Sequence, residues 1–456
     1  MQNSHNSFTT RWAFILACVG SAVGMANVWG FPYKLGANGG GAFLLIYIFF
    51  IAIFSYVALS AEYAMGRRAR TGTLGSYEYA WNSRGLGAIG KFIGWIPLIG
   101  MMCLAVGYAV IIAYVLKALT QAITGSLMSV DTDSWFASFA FSPYSVVPYH
   151  FIVVAGTLLT ILFGAKSIEK TNKIMMPLFF ILFAILAVRV ATLDGAGTGY
   201  KFMMSADWDK LTDYNVWITA MGQAFFSLSV VGAGMLVYGS YLSKKEDIVD
   251  SAKKTAIFDT IAALVAALVM IPALFAYNMD QAAGPGLLFV TLPKILQDMP
   301  GGQIFAIILF TAVIFAGISS LQNMFESVTE SLLYKFPKLK RSWILVALCV
   351  ICFGFGVNME TIAPTEEIAK ASSSFTIHTT NWGPWMDLVS IYAISIGALI
   401  GAISWFWILK KDELLDEINT GSKKKYGNAW YYIGKFVYVP LALILCLIAL
   451  INHVAF

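Results

Sequence analysis

Asp259 stands in the apolar run IFDTIAAL, inside a stretch long enough to cross a bilayer. A carboxylate at that depth costs about 2.5–3.5 kcal/mol on insertion scales, so it is a functional candidate by default. The alternative is an acid nearer the membrane edge, paired with Lys253 or Lys254. A second chemical signal is backbone rather than side chain. GSAVGMANVWGFPY, from Gly20 to Tyr33, puts Gly, Asn and Pro inside a membrane-length run, and QAFFSLSVVGAG, from Gln223 to Gly234, does the same with Ser and Gly. No water reaches the bilayer core, so a broken helix survives there only where a neighbouring helix or a ligand satisfies the freed N–H and C=O groups. Paired breaks in corresponding segments point to an ion and substrate site at mid-membrane. The hydroxyls of Ser319 and Ser320 could add oxygens to it, or could bond back to carbonyls a turn earlier. Covalent and metal-cluster chemistry find no footing. The five cysteines (18, 103, 349, 352 and 446) lie in apolar runs, CVIC from Cys349 to Cys352 lacks a second ligand pair, and the four histidines form no cluster.

The elements that must hold these residues are membrane spans. Of 456 residues 59% are hydrophobic and only 12% charged, with mean hydropathy +0.73, which excludes a soluble globular domain. Eleven spans are predicted: 12–35, 41–65, 88–122, 147–164, 173–192, 215–241, 255–278, 302–333, 342–357, 386–410 and 428–454. The polar lead before Arg11 lacks a small-residue cleavage pattern, so no removed signal peptide is expected. Lys and Arg cluster after spans two, four, six, eight and ten, whereas Lys34, Lys201, Lys210, Lys294 and Lys370 are scattered singly in the other loops. The positive-inside rule then predicts a cytoplasmic N-terminus and an outer C-terminus in the cell's inner (plasma) membrane. The net charge of +5 is a topology signal, not a nucleic-acid footprint. The breaks fall in spans one and six, so the chain reads as five plus five plus one: residues 1–200 and 201–412 as halves of opposite orientation, then 413–456 with the last span. This is the inverted-repeat plan for which the leucine transporter is the standard example.

GSAVGMANVWGFPY, NGGGAFLLIY (38–47), AEYAMGRR (61–68), GQAFFSLS (222–229), FVTLP (289–293) and AGISS (316–320) together resemble the neurotransmitter:sodium symporter family. Within it, GRRARTGTLGSYEYAW and the missing twelfth span are most similar to the bacterial tyrosine-transporter group. The resemblance implies an all-α membrane fold with helices 1 and 6 unwound at mid-membrane, and no enzyme activity. It implies two sodium ions and no organic cofactor. One ion would be held by the carbonyl of Ala22, the side chain of Asn27, the carbonyl and hydroxyl of Ser227, and Asp259. The other would be held by the carbonyls of Gly20, Val23 and Ala316 and the hydroxyls of Ser319 and Ser320. Family members that carry amines without a carboxylate have Asp where this chain has Gly24, so the ligand here is expected to bring its own carboxylate, as an amino acid does.

That carboxylate would meet the broken helix ends of Ser21, Ala22, Gly24, Met25 and Ala26 and the hydroxyl of Tyr108, unless Tyr108 is merely an interfacial or packing residue. Carbonyls near Phe226 and Ser227 would take the ammonium. Leu104, Phe226, Ser229, Gly232, Ser320 and Met324 would shape the side-chain pocket. Gly232, where a Phe often stands, would leave room for a large hydrophobic or aromatic ligand beside the adaptable Met25 and Met324; alternatively, it only accommodates the break. Asp259, with Ala263 a turn later where chloride-independent relatives carry an acid, implies a chloride surrogate near Tyr47, Gln223 and Ser227. The gates depart from the pattern. Gly30 replaces an Arg, leaving Asp387 for Lys34. His5 and Phe8 replace Arg and Trp, and the acid after span eight is displaced, with Glu330 nearby. Glu62 and Tyr241 match inner-vestibule positions, although helix-end solvation would also explain Glu62. The expected partners are the amino acid, sodium and the lipid bilayer, with no nucleic acid. The expected activity is sodium-coupled import by alternating access; an uncoupled amino-acid sensor on the same fold is the rival.

Overall fold

The computed structural model describes residues 7–279, 287–361 and 375–453, and no strand occurs among them. Lys370 and His5 lie outside the described residues. The helices follow the expected segments. α1 is broken, its pieces Arg11–Ala22 and Ala26–Ala37 meeting at 60°. Then come α2 (Gly41–Ala69), α3 (Gly87–Thr124), α4 (Val147–Thr160) and α5 (Ala165–Ala191). α6 is split into Tyr214–Ser227 and Gly234–Ser240. α7 (Ile248–Ala276), α8 (Gly302–Lys335), α9 (Arg341–Val357), α10 (Trp382–Ile408) and α11 (Asn428–Asn452) complete the order. Seven of these are unbroken, long and apolar enough to span on those grounds alone, and the bent α1 makes an eighth. α4 and α9 are shorter, at 14 and 17 residues, and α6 is interrupted.

The side-chain distribution is that of a protein dissolved in lipid. Phe92, Phe163, Val188 and Ile451 are exposed, whereas Glu62, Asn172, Asp259 and Glu326 are buried; polar groups turn inward because only the protein can satisfy them. In α3, 78% of the most apolar stretch is buried, against 33% in α5, which places α3 at the centre of the bundle and α5 at its rim.

Local sequence explains the ends. Thr10 caps α1 by accepting from Ala13 N, and Asp213 and Asp247 cap α6 and α7 in the same way. Helices α5 and α7 start at Ala165 and Ile248, earlier than the predicted 173 and 255, because their first turns are charged and project past the apolar run. The basic loops converge on one face. Arg67 there donates to Glu417 (2.5 Å), Glu246 O (2.7 Å) and Thr420 O (2.8 Å), tying α2 to the α6–α7 and α10–α11 connections. Connections at the other end meet each other, with Gly41 N donating to Ser205 O (3.0 Å) and Gln297 Nε2 to Leu127 O and Val130 O (both 2.8 Å).

Candidate functional site at the paired helix breaks

The break in α1 spans Val23 to Met25, and that in α6 runs from Leu228 to Ala233. Freed backbone groups are met by side chains from neighbouring helices. Tyr108 Oη accepts from Met25 N (3.0 Å), Asn27 Oδ1 from Gly24 N (3.2 Å) and Glu62 Oε1 from Gly232 N (2.8 Å). Gln223 Nε2 donates to Ala26 O (3.0 Å) and Asn323 Nδ2 to Gly234 O (3.0 Å). Tyr108 therefore belongs to the break and is not interfacial, and Glu62 is a buried cap on unwound backbone rather than a solvated helix end.

Between the breaks lies a cavity, and all the expected substrate contacts line it except Ser227 and Gly232. Ser227 points instead to Asp259. Gly232 is a correction: it adopts φ +73°, and a Cβ there would stand 2.5 Å from Tyr77 Oη and 2.7 Å from Gly397 O. The residue is Gly because the left-handed backbone and the close approach of α10 require it, so it opens no room for a phenyl ring. Met101, Val231 and Asn323 line the cavity unforeseen. Met101 and Asn323 lie three residues from Leu104 and Ser320, so helical spacing could have found them.

Two groups of oxygens flank the cavity. Asp259 is fully buried, with Oδ1 accepting from Asn27 Nδ2 (2.7 Å) and Oδ2 from Ser227 Oγ (2.7 Å). Ser227 Oγ also accepts from Asn27 Nδ2 (3.2 Å) and from Tyr47 Oη (3.4 Å). Lys254 pairs with Asp250 at 3.0 Å, and Lys253 lies over the Tyr56 ring, so neither neutralises Asp259. In the second group, Ser320 Oγ lies 3.5, 3.1 and 3.3 Å from the carbonyls of Gly20, Ser21 and Val23. One hydroxyl has one proton to give, so three converging carbonyls are an oxygen excess that suits a hard cation. Ser319 Oγ bonds back to Ala316 O at 3.0 Å, which brings that carbonyl and hydroxyl together on α8. The second set consists of oxygens and so fits sodium; in the first, Asp259 and Ser227 supply oxygens, while Asn27 turns its nitrogen to them and its oxygen to Gly24 N.

The gate residues separate into made and unmade contacts. Among the described residues Lys34 forms no ion pair with Asp387; it lies one turn, about 6 Å, further along the helix than Gly30. At the basic face Tyr241 Oη donates to Glu326 Oε1 (2.5 Å), and Arg341 binds both Glu326 and Glu330, the latter at 2.9 Å. Glu326, one turn before Glu330, is thus the principal acid of that closure. Phe8 is buried against Phe14, Tyr238 and Tyr241.

A family model described as the sodium:neurotransmitter symporter family matches residues 5–141 and 144–455. The chain belongs to this family. It is 32% identical over 470 residues to the uncharacterized sodium-dependent transporter YhdH of Bacillus subtilis, covering 98% of each chain. It is 31% identical to the uncharacterized sodium-dependent transporter MJ1319 of Methanocaldococcus jannaschii, over 94% of this chain and 87% of that one. The crystal structure of MhsT in complex with L-phenylalanine superposes with a TM-score of 0.82 at 30% identity, over 97% of this chain and 99% of that one. The protein is therefore a multi-pass membrane transporter that depends on sodium, not an enzyme, and its fold is the one seen in MhsT.

Proposed function

We propose that this transporter is a sodium-coupled symporter that imports a neutral amino acid, large hydrophobic or aromatic, without chloride. The observation that carries the reading is the space at Gly24. A Cβ there would stand 2.5 Å from Tyr108 Oη and 2.7 Å from Ser320 Oγ, so no side-chain carboxylate fits and the ligand supplies its own. Tyr108 and the amides of the α1 break receive that carboxylate, and carbonyls near Phe226 and Ser227 receive the ammonium. The phenylalanine bound in MhsT and the thioethers of Met25, Met101 and Met324 around the cavity favour a large apolar side chain.

Two sodium ions are assigned, one to Ala22, Asn27, Ser227 and Asp259, the other to Gly20, Val23, Ala316, Ser319 and Ser320. Asp259 supplies the fixed negative charge that chloride would otherwise provide. The halves 1–200 and 201–412 alternate access by the rocking of their first two helices, with the basic face cytoplasmic. Two positive charges moving with a zwitterion gain about 4.6 kcal/mol per 100 mV, roughly a thousandfold in accumulation.

Proteoliposomes with an inward sodium gradient, compared with matched potassium, test this using labelled tyrosine, tryptophan and leucine. Accumulation above the external concentration, with the aromatic substrates preferred, is expected. Binding without accumulation would establish the uncoupled sensor instead.

A further inference from the structure

Asn172 in α5 carries a buried side-chain oxygen that accepts no hydrogen bond, and the residue itself is 0% exposed. Its orientation is fixed by a chain of donors. Gln322 Nε2 donates to the hydroxyls of Thr160 (2.7 Å) and Thr171 (2.9 Å). Gln322 Oε1 is therefore turned to accept from Asn172 Nδ2 (2.8 Å), which also donates to Ile168 O (2.9 Å). Flipping the amide would set its oxygen against two acceptors, so Oδ1 must face the other way, toward α1. There it occupies the space a side chain on Gly20 would need: a Cβ at that position would fall 2.1 Å from Asn172 Oδ1 and 3.0 Å from Ser319 Cβ. A buried acceptor without a donor is unfavourable, and this one lies beside Gly20 and Ser319, two residues of the oxygen-rich group on α1 and α8.

We propose that Asn172 Oδ1 is a further sodium ligand, on the α5 side of the site formed by Gly20, Val23, Ala316, Ser319 and Ser320. A carboxamide oxygen is neutral and hard, so it can attract a dehydrated cation without the cost of another buried charge. Asn172, Gln322, Thr160 and Thr171 bridge α4, α5 and α8 in one hydrogen-bonded thread, and its two threonines are only partly buried. The inference rests on the sodium-symport reading above.

The test is equilibrium binding of ²²Na⁺ to purified full-length protein in detergent, without amino acid, for wild type, Asn172→Ala, Asn172→Asp, Ser320→Ala and the Asn172→Ala/Ser320→Ala double variant. Asn172→Ala is expected to raise the half-saturating sodium concentration about tenfold, the scale of losing one partner around a bound metal. Asn172→Asp, nearly isosteric, is expected to lower it, a direction that a purely structural role would not produce. The double variant should cost less than the two single changes combined, because both act on one ion. A half-saturation within twofold of wild type in both Asn172 variants overturns the inference, and if Asn172→Ala fails to fold, Asn172→Asp decides alone. Wild-type protein that binds no sodium overturns the symport reading itself.

Discussion

At the scale of single residues, the site depends on a few polar groups with no spare partners. Tyr108 Oη is the acceptor for Met25 N and lies at the cavity wall. Tyr108→Phe keeps the ring and removes only the hydroxyl. A hydrogen bond to a charged group contributes about 1.5–3 kcal/mol, so the KM for amino acid should rise about 10- to 100-fold while the sodium dependence of uptake keeps its shape; an unchanged KM would remove Tyr108 from carboxylate recognition. Asp259 makes a different prediction. Wild-type uptake should be indifferent to replacement of chloride by gluconate, whereas Asp259→Asn, which keeps shape and hydrogen-bonding capacity but loses the charge, should take up substrate only when chloride is present. Chloride-dependent wild-type uptake would contradict the surrogate role. Most of these residues are legible in the sequence because their types are anomalous where they stand: an acid, an amide or a tyrosine within a span needs a reason. Asn172 is not legible in the sequence, since the fifth apolar run begins at 173, one residue past it, and only the fold shows that its nitrogen is committed to α5 and α8 while its oxygen lies against Gly20.

At the scale of elements, the two broken helices are readable as such, since Gly, Asn and Pro in mid-span are unfavourable in a continuous helix. What each residue does within a break is less readable, because the same glycine serves for cavity space or for backbone strain. Gly232 is the instance: its type suggests room for ligand, and its φ of +73° and its contact with Gly397 show a turn that only Gly tolerates. Gly232→Ala should therefore destabilise the protein by about 1–3 kcal/mol, lowering the melting temperature by several degrees and reducing uptake of leucine and tyrosine in equal proportion. A selective loss of tyrosine uptake at unchanged stability would restore Gly232 to the pocket. Helices α5 and α7 start before their apolar runs for a related reason. Hydropathy marks where a helix enters the apolar layer, while Asp247 and the Gly164–Ala165 turn mark where it begins, and the charged turns between them are solvated helix.

At the scale of the whole molecule, ion pairs tie the helices of the basic face together. The basic face is bound by ion pairs between helices: Arg67 with Glu417, Arg11 with Glu246 and Asp250, and Arg341 with Glu326 and Glu330. On the opposite face His150 meets Glu360 at 3.1 Å and Lys294 lies 3.9 Å from Asp133, while Lys34 and Asp387 form no pair among the described residues. Arg341 has the greatest leverage, because Glu326 is fully buried and has Tyr241 as its other partner from α6. Removing one member of a buried pair costs about 3–5 kcal/mol, and the closed basic face bears that cost while an open, hydrated one does not. Each 1.4 kcal/mol of difference shifts the balance of the two states tenfold. Arg341→Gln should thus favour the state open on the basic face, weakening sodium-driven accumulation while leaving substrate exchange intact. Cys18, buried in the first piece of α1 between that face and the cavity, can report the shift once the other four cysteines are serine. Its labelling by a membrane-permeant maleimide should be slow in sodium for the parent protein and faster by tenfold or more in Arg341→Gln. Equal labelling rates would mean that the aromatic packing of Phe8 with Tyr238 and Tyr241, rather than the ion pairs, keeps this face shut.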